Sequence, residues 1–291
     1  MTVKNCHFCG KAPTIKHSHV VPNFAGKYLK ANSPFGYMLN GWKREKQFDI
    51  YKGPYLCAKC DNEVFSSWER HFAKSLWQKP FGEPSVWGDE RTILFVLSLA
   101  YRYCLHFIAT SPIEANKPYS EKMRDLFKGA MLDPAQVGQS VFVYPYVHQP
   151  IADQCGLLPG VNHLLQLAVH GMSLPSEDGL PDSLLVLLPG FVFLLCSGEL
   201  RPRGGACEIV NPVSLKLNAS LDASRSNIEM PLFLRQLFNR MVGESQGHQK
   251  QLGLWHRLAY GADKMLNPGR RCYLAQSQDH KLLFWQRENC S

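Results

Sequence analysis

The sequence predicts an α+β protein in two parts: a small cysteine-rich module over residues 1–88 and a larger mixed α+β accessory domain over residues 89–291. Three observations carry this. Two C-x-x-C pairs stand in the polar, lysine-rich first part; the long apolar segments all lie beyond it; and "QKPFGEPSVWG" between the two has the proline and glycine content of a connector, which sets the boundary near residues 78–88.

Taken in chain order, "SHVVPNF" suits the end of a short strand, and "KGPYLC" suits a second strand that delivers Cys57 into a turn. A helix is expected from Asp61 to Leu76, because Phe65, Trp68, Phe72 and Leu76 recur at three- and four-residue steps. Beyond the connector, helices are expected at 89–109 and 118–131. Strands follow at 140–147, 162–169, 183–188 and 191–197, the last two joined at Pro189-Gly190, and late helices at 229–242 and 247–262. The apolar run "ILFVLSLAYRYCLHFI" carries Arg102 and His106, which fits a buried helix better than a membrane span; "SLLVLLPGFVFLLCSG" is broken at its Pro-Gly. No membrane partner is expected.

Composition is that of an ordinary globular chain, 45% hydrophobic and 19% charged, and a chain of 291 residues can bury a core without disulfides. The formal net charge is +8, and residues 1–90 hold 13 Lys/Arg against 8 Asp/Glu, so most of the excess lies in the first part. Such a balance favours an anionic partner, of which nucleic acid is the commonest. "MTVKNCHFCG" contains no apolar segment of the secretory kind, so a cytoplasmic setting with reduced thiols is expected.

In a reducing compartment, paired cysteines read as metal ligands. Cys6 and Cys9 form one knuckle and Cys57 and Cys60 the second, which matches tetrahedral Zn²⁺ in a closed, structural site. A knuckle, hairpin and helix in this order is a treble clef. His7, inside the first knuckle, reads as an exposed residue. Cys104, Cys155, Cys196, Cys207, Cys272 and Cys290 show no paired spacing and read mostly as small core residues.

"CHFCG", "SHVVPNF" and "YLCAKCDNEVFSSWERHF" together resemble the HNH endonucleases, specifically the zinc-stapled members with a ββα-metal site; the resemblance covers about residues 1–80. It implies a metal-dependent hydrolase of phosphodiester bonds, with DNA as the expected substrate and bacterial restriction or anti-phage defence as the setting. It also implies His19 as the general base and Asp61 as a ligand of a catalytic Mg²⁺ or similar ion. Those residue types suit the chemistry, since imidazole takes a proton near neutral pH and a hard cation prefers oxygen ligands.

One position departs from the family, which usually has an aspartate where this chain has Ser18. A hydroxyl is a weak ligand, so His17, Asp49 or Glu69 would have to complete the set around Ser18 and Asp61. Asp49 is the best substitute, because Glu69 lies about 12 Å further along the helix than Asp61. His71 points away from Asp61. Lys16, Lys27, Lys30, Lys43, Arg44 and Lys46, interleaved with Phe24, Tyr28, Phe35, Tyr37 and Trp42, either contact phosphates or form a solvated face.

Simpler roles stand beside these: His19 bracing its loop, and Asp61 complementing the helix dipole. The chain as a whole has two alternatives, a non-catalytic zinc module that binds nucleic acid or a partner protein, and a regulatory subunit whose second domain is the working part. Residues 90–291 contain no catalytic motif. They are expected to serve recognition, oligomerisation or partner docking. Arg102 should pair with a carboxylate or mark an interface, and His106 and His163 read as core or surface histidines.

Overall fold

The structure is a computed structural model that describes residues 4–32, 38–40, 45–47, 50–78, 89–111, 114, 117–147, 169–174 and 181–199. Over these it is a mixed α+β protein. Strand β1 (Ser18–His19) pairs antiparallel with β4 (Lys52–Gly53), placing His19 opposite Lys52. Between them run helix α1 (Asn23–Asn32) and a hairpin of β2 (Met38–Asn40) and β3 (Glu45–Gln47).

The short strand expected to end in "SHVVPNF" ends early, at His19, and helix α1 takes up the rest from Asn23. Only Ser18 and His19 are strand, and Pro22 starts the helix by accepting from the Ala25 and Gly26 amides at 3.1 and 3.2 Å. A proline at a helix entry has no amide to leave unpaired there, and its φ already suits the turn. Gly26 follows because a Cβ at this position would run into the Ile50 side chain.

The next helix begins at Ala58, inside the second cysteine pair and three residues before the expected Asp61. It is π-helical over Cys60–Phe65, continues as α2 (Ser66–Phe72) and closes with a second π-helical stretch (Ala73–Trp77). Its inward face is Phe65, Phe72 and Leu76.

Helix α3 (Glu90–Thr110) starts at Asp89, whose carboxylate accepts from the Thr92 amide at 3.1 Å as an N-cap. Every residue from Thr92 to Leu105 is buried, and a helix apolar on all sides belongs in a core or a bilayer. Among the described residues it is the one helix long and apolar enough to cross a membrane, and here it is enclosed by the protein's other elements. Helix α4 (Lys117–Leu132) covers it with Met123, Phe127, Ala130 and Met131.

A four-stranded antiparallel sheet completes the described fold: β5 (Phe142–Val147), β6 (His170–Leu174), β7 (Ser183–Leu188) and β8 (Phe191–Cys196), in the order β5-β8-β7-β6. Strands β7 and β8 are buried at every position, and Pro189-Gly190 joins them with Gly190 at φ 80°, a type II turn.

The expected strand at 162–169 falls outside the described residues up to 168, and β6 begins just beyond it. The expected helices at 229–242 and 247–262 also lie outside. So do residues 79–88 of the connector, yet the two sides share one hydrophobic core running from Cys6 and Val20 to Phe193 and Leu195. Its seam is aromatic. Phe72 stacks on Phe95 with ring centroids 4.2 Å apart and meets Phe191 and Phe193 edge-on, while Trp77 packs against Phe24 and Phe191.

Candidate metal centre and its surroundings

The first knuckle is shaped by its own backbone. The Gly10 amide donates to the Cys6 carbonyl at 2.8 Å, the Cys6 amide donates to Ala12 at 2.8 Å, and Gly10 has φ 69°, the left-handed conformation that glycine adopts without penalty. Two further bonds dock it on the second knuckle: His7 N–H to the Tyr55 carbonyl at 3.1 Å and Ile15 N–H to the Leu56 carbonyl at 2.8 Å. The Asp61 amide then donates to the Cys57 carbonyl at 3.0 Å as the helix begins.

These bonds bring the sulfurs of Cys6, Cys9, Cys57 and Cys60 within 4.8 Å of one another, with Cys9 and Cys57 3.8 Å apart. A tetrahedral Zn²⁺ with bonds of about 2.3 Å requires sulfurs about 3.8 Å apart. The four cysteines therefore fit a metal such as zinc. The backbone N–H of Lys11 pulls the Cys9 thiol down to about 6, whereas burial pushes Cys60 up. Among the described residues this is the only group of three or more His, Cys, Asp or Glu side chains close enough to hold a metal.

His19 and Asp61 stand near each other, with Nδ1 3.7 Å from Oδ2. The Asp61 side chain is 5% exposed and that of His19 33%, so a sheltered carboxylate sits beside an imidazole that reaches solvent.

Ser18 has a different role from the metal ligand expected of it. It is wholly buried; its hydroxyl donates to the Gly53 carbonyl at 2.6 Å and accepts from the Tyr55 and Leu56 amides, both at 3.2 Å. A hydroxyl has one hydrogen and two lone pairs, and all are engaged. Ser18 ties β1 to the segment that carries Cys57.

Glu69 is likewise committed, bound at 2.6 Å to Arg102, which confirms a carboxylate partner for that arginine. Asp49 lies outside the described residues, as do Phe35, Tyr37, Trp42 and the side chains of Lys43, Arg44 and Lys46. Phe24 and Tyr28 pack on Trp77, with centroids 4.8 and 5.5 Å apart, rather than standing among the lysines as stacking surfaces. Lys16, His17 and Lys27 are exposed.

His71 binds Asp89 at 2.7 Å, joining α2 to the start of α3. His106 has Nδ1 3.1 Å from the Tyr55 hydroxyl and packs against Tyr51 with the rings tilted and their centroids 4.7 Å apart. Cys104 and Cys196 are buried core thiols; His163 and the other unpaired cysteines fall outside the described residues.

The bond that sequence reasoning missed runs from Arg102 to the His19 carbonyl, 3.1 Å long across 83 positions. Its only trace in the sequence is a lone charge on an apolar helix. In comparisons with known proteins, no family model, no curated protein and no solved structure matches the chain.

Proposed function

We propose that the chain is a nuclease of the HNH type, hydrolysing phosphodiester bonds, with DNA as its substrate, on a zinc-stapled treble-clef module. The observation that carries this reading is the placing of His19 beside Asp61, next to four clustered thiols. His19 takes a proton from the attacking water, and imidazole does so near neutral pH. The Asp61 carboxylate at 3.7 Å then offsets the charge that the imidazole gains.

A divalent cation, when bound, would offset charge on the scissile phosphate. Asp61 is the one carboxylate beside His19 among the described residues, and these two groups alone do not enclose such an ion. Asp49 is the residue in reserve for that site. The charge of +8 supports an anionic substrate. Recognition of the target or docking of a partner is assigned to the part beyond residue 88, in a cytoplasmic defence setting.

A second reading, a non-catalytic zinc module that binds nucleic acid or protein, is favoured by Ser18, whose hydroxyl is wholly used within the fold. A cleavage assay with Mg²⁺, Mn²⁺ or chelator separates the two. His19→Ala should lower the rate about 10²- to 10⁴-fold with zinc content unchanged, and Asp61→Ala should weaken the response to added cation. A parent protein that binds DNA without cutting it under any of these conditions would establish the second reading.

A further inference from the structure

We propose that Arg102 is a positioning residue for His19, a buried guanidinium that fixes the backbone of β1 at the site and so sets where the imidazole stands beside Asp61. This rests on the reading of His19 as the base. Arg102 is the only charged residue in the buried run of α3, and it is 1% exposed. Its Nε donates to the Ser98 carbonyl at 3.2 Å, one turn back on the same helix, which holds the root of the guanidinium. Nη1 then serves two other elements, donating to Glu69 Oε1 at 2.6 Å on α2 and to the His19 carbonyl at 3.1 Å on β1. The Phe65 ring lies beneath, its centroid 5.6 Å from the guanidinium carbon.

Stability alone gives a poor account of this arrangement. Nη2 is buried with no hydrogen-bond partner among the described residues, and a buried ion pair with an unsatisfied donor is commonly less stable than apolar side chains filling the same space. What an apolar side chain cannot supply is a donor that reaches a carboxylate and a carbonyl together. His19 needs such support, because β1 is only two residues long and too short to be rigid by itself. Ser18 secures one end of it and Arg102 the other.

The test uses the full chain with ¹³C-labelled histidine, the variants Arg102→Lys and Glu69→Gln, and His19→Ala to identify the His19 imidazole signal. In Arg102→Lys, with zinc retained, the His19 signal should move or split while that of His170 in β6 stays. DNA cleavage should lose about 10- to 100-fold in kcat with KM little changed, the signature of a displaced group rather than of weakened binding. Glu69→Gln should give a smaller change of the same kind, and it decides the matter if Arg102→Lys does not fold.

An unmoved His19 signal in the folded variant overturns the proposal, even if the rate falls, since Arg102 would then be a general support. If His19→Ala cuts as fast as the parent, the nuclease reading fails, and the histidine signal still judges the clamp.

Discussion

The cysteine-bearing region and the region built on α3 and the sheet are held together by different means. Around the four thiols the strands β1 and β4 are two residues each, and they are secured by the bonds of Ser18 and by the knuckle backbone, beside a sulfur cluster that could hold a metal such as zinc. Around α3, by contrast, β7 and β8 are six residues each with every position buried. Apolar burial is not directional and tolerates small shifts, whereas a hydrogen bond or a metal ligand fails over less than an ångström. A short-stranded region of this kind can place a histidine accurately, but it depends on a few contacts that can be removed one at a time.

The two regions should part most clearly when any metal that the four thiols hold is removed. Structural zinc in small modules contributes on the order of 10–16 kcal/mol, so a strong zinc chelator should abolish amide protection around Cys6–Ile15 and Tyr55–Cys60 while β7 and β8 stay protected. Hydrogen exchange followed by mass spectrometry reads both regions in one sample. Persistent protection around the knuckles without metal would show that burial carries this region too.

Acid provides the next largest effect, on the other region. Burial pushes the His170 imidazole down to about 4 from its ordinary 6.5. Below pH 6.5 the unfolded chain binds a proton that the folded one refuses, so stability is full above 6.5 and falls as pH drops towards 4. The loss grows towards the lower end of that range. Denaturant titrations at pH 7 and 5 should show a steeper decline for the parent than for His170→Gln. Parallel declines would remove His170 from the account.

The smallest effect is expected from Ser18→Ala. It removes the acceptor of the Leu56 amide and one of the two bonds of the Gly53 carbonyl and of the Tyr55 amide, which keep their mutual bond at 3.0 Å, at a cost of about 2 kcal/mol. The melting temperature should fall and zinc should be released at lower chelator concentration. An unchanged melting temperature would mean that these bonds do not limit the region.

The parts legible in the sequence are those set by local pattern. Cysteine spacing placed the four sulfurs, periodic apolar residues placed the helix after Cys60, and Pro189-Gly190 marked the turn between two buried strands. Helix α1 was not legible, because in "SHVVPNFAG" two β-branched valines and a proline precede it and a glycine lies within its helical part; the reason for Gly26, the Ile50 side chain, lies 24 positions away.

The same distance in sequence hid the bonds of Ser18, whose partners are 35 to 38 positions on, and the bond from Arg102 to His19. In the sequence Ser18 stands out as the neighbour of His19. That its hydroxyl was already occupied depends on how β1 and β4 are brought together, which no local pattern encodes.

The aromatic seam has a practical consequence for anyone dividing the protein. A polypeptide ending at residue 88 would bring Phe24, Phe72 and Trp77 into water on one face, stripped of Phe95, Phe191 and Phe193. Such a face is sticky. The fragment would self-associate or precipitate, and its behaviour would report that newly made surface rather than the properties of the intact chain. Cutting the gene at the connector, natural as it looks in the sequence, would divide a single layer of rings.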